Sequence, residues 1–144
     1  MSYFDTNYIL KCYLNEPQAE RVRALAGQVA DKYCCRWGRV EFHSGIKRQT
    51  REGKITSEQE AEIFRAFQED ELAGVWIWLP VDRALLDSVC ASFVSLPDTV
   101  YLRSGDALHL ACAREHGFPE IYSSDKHLLA AAPHFGLVGK NVLT

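Results

Sequence analysis

Gly74-Val75-Trp76-Ile77-Trp78-Leu79-Pro80 is the stretch on which the fold turns. Five apolar residues, largely β-branched or aromatic, run without polar interruption between a Gly and a Pro. The run is too short for a helix and reads as a strand buried on both faces. Sheets covered on both faces are characteristically parallel, with helices in the crossovers. The flanking sequence agrees. Upstream, Ser57-Glu58-Gln59-Glu60 has a capping-box pattern, and Ile63, Phe64 and Phe67 extend it as an amphipathic helix. Downstream, Leu85, Leu86, Val89 and Phe93 mark a helix ending before Pro97.

The same alternation extends to both ends. Tyr3-Phe4 opens a very short strand that stops at Asp5, and Thr6-Asn7 suits a strand-to-helix turn. Pro17 fits the first turn of a second helix, with Asn15 or Glu16 before it and Val22, Leu25, Ala26 and Val29 as its apolar stripe. Lys32 to Cys35 reads as a buried strand. Val40, Phe42 and Ile46 then suit a helix that carries Glu41 near its start and ends at Glu52-Gly53. Ser104 to His116 is an Ala- and Leu-rich helix stopped by Gly117. Ile121-Tyr122-Ser123 is the next strand, Lys126 to Ala132 a helix stopped by Pro133, and Leu137-Val138 a last edge strand. Right-handed crossovers between such strands build an α/β fold with a helix-covered parallel sheet.

A chain of 144 residues, 47% hydrophobic and 24% charged, fits one domain over residues 1–144. No run reaches the roughly 18 apolar residues that cross a membrane, and Met1 to Asp5 has no signal-peptide character. A soluble, cytoplasmic protein is therefore expected. The five cysteines include no Cys-x-x-Cys pair and read as reduced, mostly buried thiols, with Cys34 and Cys35 on opposite faces of their strand. The net charge of −3 argues against coating nucleic acid by bulk attraction. Charge is nonetheless segregated: residues 32–54 carry seven basic side chains against two acids, and residues 58–71 carry six acids against one Arg. The two stretches read either as solvated helix faces that balance each other or as a basic guide for a polyanion beside Glu41.

Asp5, Glu41, Asp106 and Asp125 each fall where a strand gives way to a helix or just inside that helix. Taken singly, the aspartates are well explained as caps on free backbone N–H groups, and Glu41 as a solvated helix residue. Taken together they share the C-terminal edge of a parallel sheet, where their repulsion calls for cations. Carboxylates without histidine suit Mg²⁺ or Mn²⁺ better than zinc. His109, one turn after Asp106, reads as a packed residue of an Ala/Leu helix. Ser123 and Ser124 lack a nucleophile elbow, and no Walker or dinucleotide Gly motif is present.

Four segments together resemble the PIN domain, and most closely its VapC-type toxins: Tyr3-Phe4-Asp5-Thr6-Asn7, Val40-Glu41-Phe42, Arg103 to Ala111, and Tyr122-Ser123-Ser124-Asp125-Lys126-His127-Leu128. The resemblance covers nearly the whole chain. It implies a three-layer α/β fold with strand order 3-2-1-4-5 and a Mg²⁺- or Mn²⁺-dependent endoribonuclease controlled by a cognate antitoxin. The family's metal-site acids fall on Asp5, Glu41, Asp106 and Asp125, and its supporting hydroxyl and amide positions on Thr6, Asn7 and Ser123. Cys35-Arg36-Trp37-Gly38-Arg39 departs from the small hydroxyl residue and aliphatics that precede this Glu in relatives.

The expected chemistry is hydrolysis of an RNA phosphodiester by metal-activated water. Arg36, Arg39, Lys47 and Arg48 are the candidates for gripping the RNA backbone, and Trp37 for stacking on an unpaired base. A homodimer is expected from the resemblance, and the aromatic stripe Ile63 to Phe67 suits self-association and core packing equally well. Two alternatives stay open: another PIN-type nuclease in RNA processing or DNA repair, and a non-catalytic partner-binding module whose acids only cap helices.

Overall fold

A computed structural model describes residues 1–144. Five strands form one parallel sheet: β1 (Ser2–Phe4), β2 (Lys32–Cys35), β3 (Trp76–Leu79), β4 (Glu120–Tyr122) and β5 (Val138–Lys140), in the order β3-β2-β1-β4-β5. The expected order is the one observed. β1 is central, and the order of strands reverses between β1 and β4, the kind of switch point where the strand ends of an open α/β sheet leave a crevice.

Side chains alternate across each strand, so each strand feeds two cores. On one face Tyr3, Cys35, Leu79 and Ile121 pack beneath α5 (Arg83–Ser95), α6 (Ser104–Glu115) and α7 (Lys126–Ala131). On the other, Phe4, Cys34 and Trp76 pack beneath α1 (Thr6–Tyr13), α2 (Ala19–Gln28), α3 (Arg36–Arg51) and α4 (Ser57–Leu72). Helix, sheet and helix thus form three layers, and the adjacent Cys34 and Cys35 go to opposite cores, as expected. All five cysteines are free thiols. No helix is long and apolar enough to cross a membrane.

Several boundaries differ from the sequence expectation, for local reasons. α2 begins at Ala19 rather than near Pro17, because Gln18 takes a left-handed φ of 64° and starts the helix without a side-chain cap. The capping box is made by Thr56 and Gln59, one residue earlier than the Ser57 pattern suggests. Val75 closes the turn after α4 by donating to Asp70 O, so β3 starts at Trp76. Pro133 does not end the last helix; it sits at the start of a 3-10 turn, Ala132–Phe135, which Gly136 terminates at φ 71°. Leu137 N–H is used by that turn, which moves β5 to Val138–Lys140.

The segregated charges pair with each other across α3 and α4. Arg39 binds Glu71 through two nitrogens at 2.6 and 3.3 Å, and Lys47 meets Glu60 at 3.2 Å. Lys32 is buried, its ammonium held by the Ala26 and Val29 carbonyls. The stripe proposed for self-association is also internal: Phe67 is 1% exposed and stacks on Phe42 at 3.9 Å, with Ile63 and Phe64 against the same core. Exposed apolar side chains lie outside this stripe, among them Trp37, Val81, Leu86, Phe93 and Val94.

Candidate active site

β1 ends one residue before Asp5, whose N–H binds Tyr122 O of the neighbouring β4 at 2.8 Å. This ladder contact ties the end of β1 to the end of β4. Asp5 caps α1, taking Thr6 N–H on Oδ1 at 2.7 Å, while its Oδ2 accepts the Ser123 hydroxyl at 2.7 Å. Asp125 repeats the device at α7: Oδ1 takes the His127 and Leu128 N–H groups, and Oδ2 points away to Arg103 Nη2 at 2.9 Å. The cap reading thus holds for one oxygen of each of these two residues and leaves the other oxygen off the helix start. Asp106, third residue of α6, caps nothing; Arg103 Nε approaches its Oδ2 at 3.3 Å.

Ser123 is the hinge of the arrangement. It is fully buried, donates to Asp5, accepts Asp125 N–H at 3.0 Å, and receives the Asn7 amide at 3.3 Å. Asn7 Oδ1 in turn takes Ser124 N–H at 3.2 Å. Thr6 Oγ1 donates to Glu41 Oε1 at 2.9 Å, which reaches the cluster from the second turn of α3. All seven residues singled out around the strand ends, Asp5, Thr6, Asn7, Glu41, Asp106, Ser123 and Asp125, thus belong to one connected edge. No three His, Cys, Asp or Glu side chains close into a metal cage there.

Two basic side chains, whose partnering role the sequence does not announce, stand among the acids. His109 is completely buried, with Nε2 2.5 Å from Glu41 Oε1 and 3.6 Å from Asp5 Oδ1, and Nδ1 2.8 Å from the Tyr3 hydroxyl. Tyr3 is itself fixed by Cys35 N–H at 2.9 Å. Arg103 bridges Asp106 and Asp125. The repulsion expected among the acids is thus partly met from within the chain. A signal for His109 existed: it is three residues from Asp106 on α6, and Tyr3 is two residues from Asp5, hence on the same side of the strand. Of the basic residues proposed to grip RNA, Arg39, Lys47 and Arg48 each bind an acid, whereas Arg36 is exposed and has no ion-pair partner.

The electrostatics follow from this crowding. Burial pushes the Asp5 carboxyl above its usual range against the opposing pull of His109 and Ser123. Burial, then the charges of Asp5 and Asp125, push Asp106 up as well, more than Arg103 offsets. Glu41 goes the other way: burial opposes its charge, but hydrogen bonding and attraction from His109 hold it below the usual value. Burial disfavours charge on His109, yet Cys34, Glu41 and Asp5 hold its pKa well above that of free imidazole.

A stability prediction follows by linkage. Groups with raised folded values, Asp5 and Asp106, favour the fold when protonated; that contribution is complete below about pH 3.8 and is lost as pH rises through their raised values. Glu41 contributes oppositely, stabilising above pH 4.5 and losing that effect as pH falls through its lowered value. Asp106→Asn removes one of the repelling charges, so in chelator its melting temperature is expected to exceed wild type by a few degrees at pH 7, with the gap narrowing toward pH 4. Calorimetric scans across that range check it; a variant less stable at pH 7 contradicts it.

A family model described as PIN domain matches residues 2–133. Among solved structures, the chain is similar to the crystal structure of FitAcB from Neisseria gonorrhoeae, with a TM-score of 0.72, 17% identity and 99% coverage of each chain. It is similar to the structure of FitAB bound to an IR36 DNA fragment at TM-score 0.72 and 18% identity, covering 100% of this chain and 96% of that one. A toxin–antitoxin complex from Klebsiella pneumoniae gives a TM-score of 0.63 at 18% identity, covering 93% and 94%. At such identities the likeness is one of fold. No curated protein sequence matches the chain.

Proposed function

The chain belongs to the PIN domain family, and from that premise we propose that it is a divalent-metal-dependent endoribonuclease, the toxin of a type II toxin–antitoxin pair. The observation that carries the reading is the edge at the β1–β4 switch point, where Asp5 and Asp125 each spend one oxygen on a helix start, while the other oxygen of Asp5 accepts the Ser123 hydroxyl and that of Asp125 shares Arg103 with Asp106. Hard carboxylate oxygens fit Mg²⁺ or Mn²⁺, and burial raises the pKa values of Asp5 and Asp106, so that charge on them is disfavoured until a cation offsets it. Asp5, Asp106 and Asp125 would hold the ion, with Glu41 direct or through water. Bound there, it supplies a lowered pKa for the attacking water and positive charge for the oxygens of an in-line displacement.

The chain's own residues orient that edge. Ser123 keeps Asp5 and the start of α7 in one register, Asn7 braces Ser123 and Ser124, and Thr6 with His109 aims Glu41. Outer partners of this kind typically matter 10–100-fold. Arg36, unpaired at the start of α3, is the basic residue best suited to a backbone phosphate. The partner reading is supported by the exposed apolar face of Trp37, Val81 and Leu86, a surface for the antitoxin or a second copy of the chain.

The test is cleavage of single-stranded RNA, and of DNA of the same sequence, with Mn²⁺, Mg²⁺ or chelator. RNA cleavage that appears with metal and stops with chelator is expected. Cleavage in chelator, or of DNA alone, excludes the proposal. Metal should also raise the melting temperature, since it binds only the folded state.

A further inference from the structure

The side chain of Arg103 makes its polar bonds at this edge to two acids and to nothing else. Arg103 precedes α6 in extended backbone, at φ −84° and ψ 157°; its carbonyl accepts Ala107 N–H at 3.0 Å, but its side chain makes no capping bond. Its guanidinium binds Asp106 Oδ2 through Nε at 3.3 Å and Asp125 Oδ2 through Nη2 at 2.9 Å, while 60% of its side chain stays open to solvent. The loop that carries it is fastened one step back, where Tyr101 packs on His127 at 4.5 Å between ring centres. Backbone position is therefore set independently of the side chain.

The acid oxygens decide the rest. Asp125 Oδ1 is committed to the His127 and Leu128 N–H groups, so Oδ2 is the oxygen left for a ligand, and it is the one Arg103 occupies. An ion bound by Asp106 and Asp125 competes with the guanidinium for these atoms. Once displaced, Arg103 has no other acid partner among its contacts, and as an exposed planar fork it is suited to a phosphate brought to the same edge. Resting on the metal-site reading above, we propose that Arg103 is an exchangeable counter-ion: it bridges Asp106 and Asp125 until a divalent cation takes them, then turns to the RNA phosphate.

The experiment measures Mn²⁺ binding by calorimetry without RNA, and RNA binding by fluorescence anisotropy with Ca²⁺ in place of the active metal. In Arg103→Gln, Mn²⁺ is expected to bind up to about fivefold more tightly, because an exposed ion pair no longer competes. The same variant is expected to bind RNA about tenfold more weakly in Ca²⁺, having lost a charge-assisted phosphate contact. Arg103→Lys, which keeps the charge and loses the fork, should fall between the two on both readouts. Unchanged Mn²⁺ affinity or unchanged RNA affinity in Arg103→Gln overturns the exchange. Asp5→Asn in the same titrations separates the two failures: if wild type binds Mn²⁺ and Asp5→Asn does not, the metal site stands whatever Arg103 does. Wild type that binds no Mn²⁺ sinks both.

Discussion

Asp5→Asn is expected to lower metal-dependent RNA cleavage by about a hundredfold or more, a ligand counting for at least as much as the outer partners that orient it. The substitution is nearly equal in size and keeps one oxygen for Thr6 N–H, the capping bond at the start of α1. What it removes is charge and one acceptor. Ser123 then faces an amide where it now donates to a carboxylate at 2.7 Å, while still receiving Asp125 N–H and Asn7. The lost hydrogen bond lowers stability; the relief of a buried charge whose pKa is already pushed up raises it. Because these oppose, the melting temperature in chelator should move little while Mn²⁺ binding is lost. Activity and metal affinity, each measured beside a melting curve, decide the point. A variant that still cleaves in Mn²⁺ at a comparable rate removes Asp5 from the site.

Gly38→Ala is expected to damage fold and site together. Gly38 lies on the buried side of α3, where an added Cβ would press on Cys34 Sγ closer than real Cβ contacts come, and would stand 3.1 Å from Thr6 Oγ1 and 3.2 Å from His109 Cε1. Overpacking of this sort costs about 1–3 kcal/mol, against about 1 kcal/mol gained from helix propensity. A net loss in urea unfolding is therefore expected. The displaced groups are those that hold Glu41, so the cleavage rate should fall by more than the fraction unfolded explains. Gly45→Ala on the same helix is the comparison: its Cβ meets the end of the Leu10 side chain at 2.9 Å, away from the acids, and that side chain can turn aside. Equal stability and equal activity in the two variants would falsify the idea that α3 is seated tightly against the site through Gly38.

The strand ends and their acids were legible because local chemistry marks them: Asp5 and Asp125 are helix caps in a place where caps recur, and β3 announces itself by an apolar run between Gly74 and Pro80. The ion pairing of α3 with α4 was legible as one of two readings of the charge stretches, and Arg39–Glu71 and Lys47–Glu60 decide for mutual balance. What stayed hidden were partners distant in sequence. The spacing of His109 from Asp106, and of Tyr3 from Asp5, hints that both face this edge, but that Glu41 meets the second His109 nitrogen and that Asp125 lies across from Arg103 depends on residues far apart in sequence. The aromatic stripe at Ile63 to Phe67 was legible only as two readings, self-association or core packing, because an amphipathic period shows that a face will be covered and not by what; Phe42 covers Phe67.

The place of β4 beside β1, far along the chain yet next to its central strand, has a consequence in time. A polypeptide still on the ribosome, synthesised as far as α5, already carries Asp5 and Glu41 but has neither Asp106 nor Asp125 to set against them. The acidic edge is thus completed only late in translation, and any activity that needs all four acids is withheld until then in every round of synthesis.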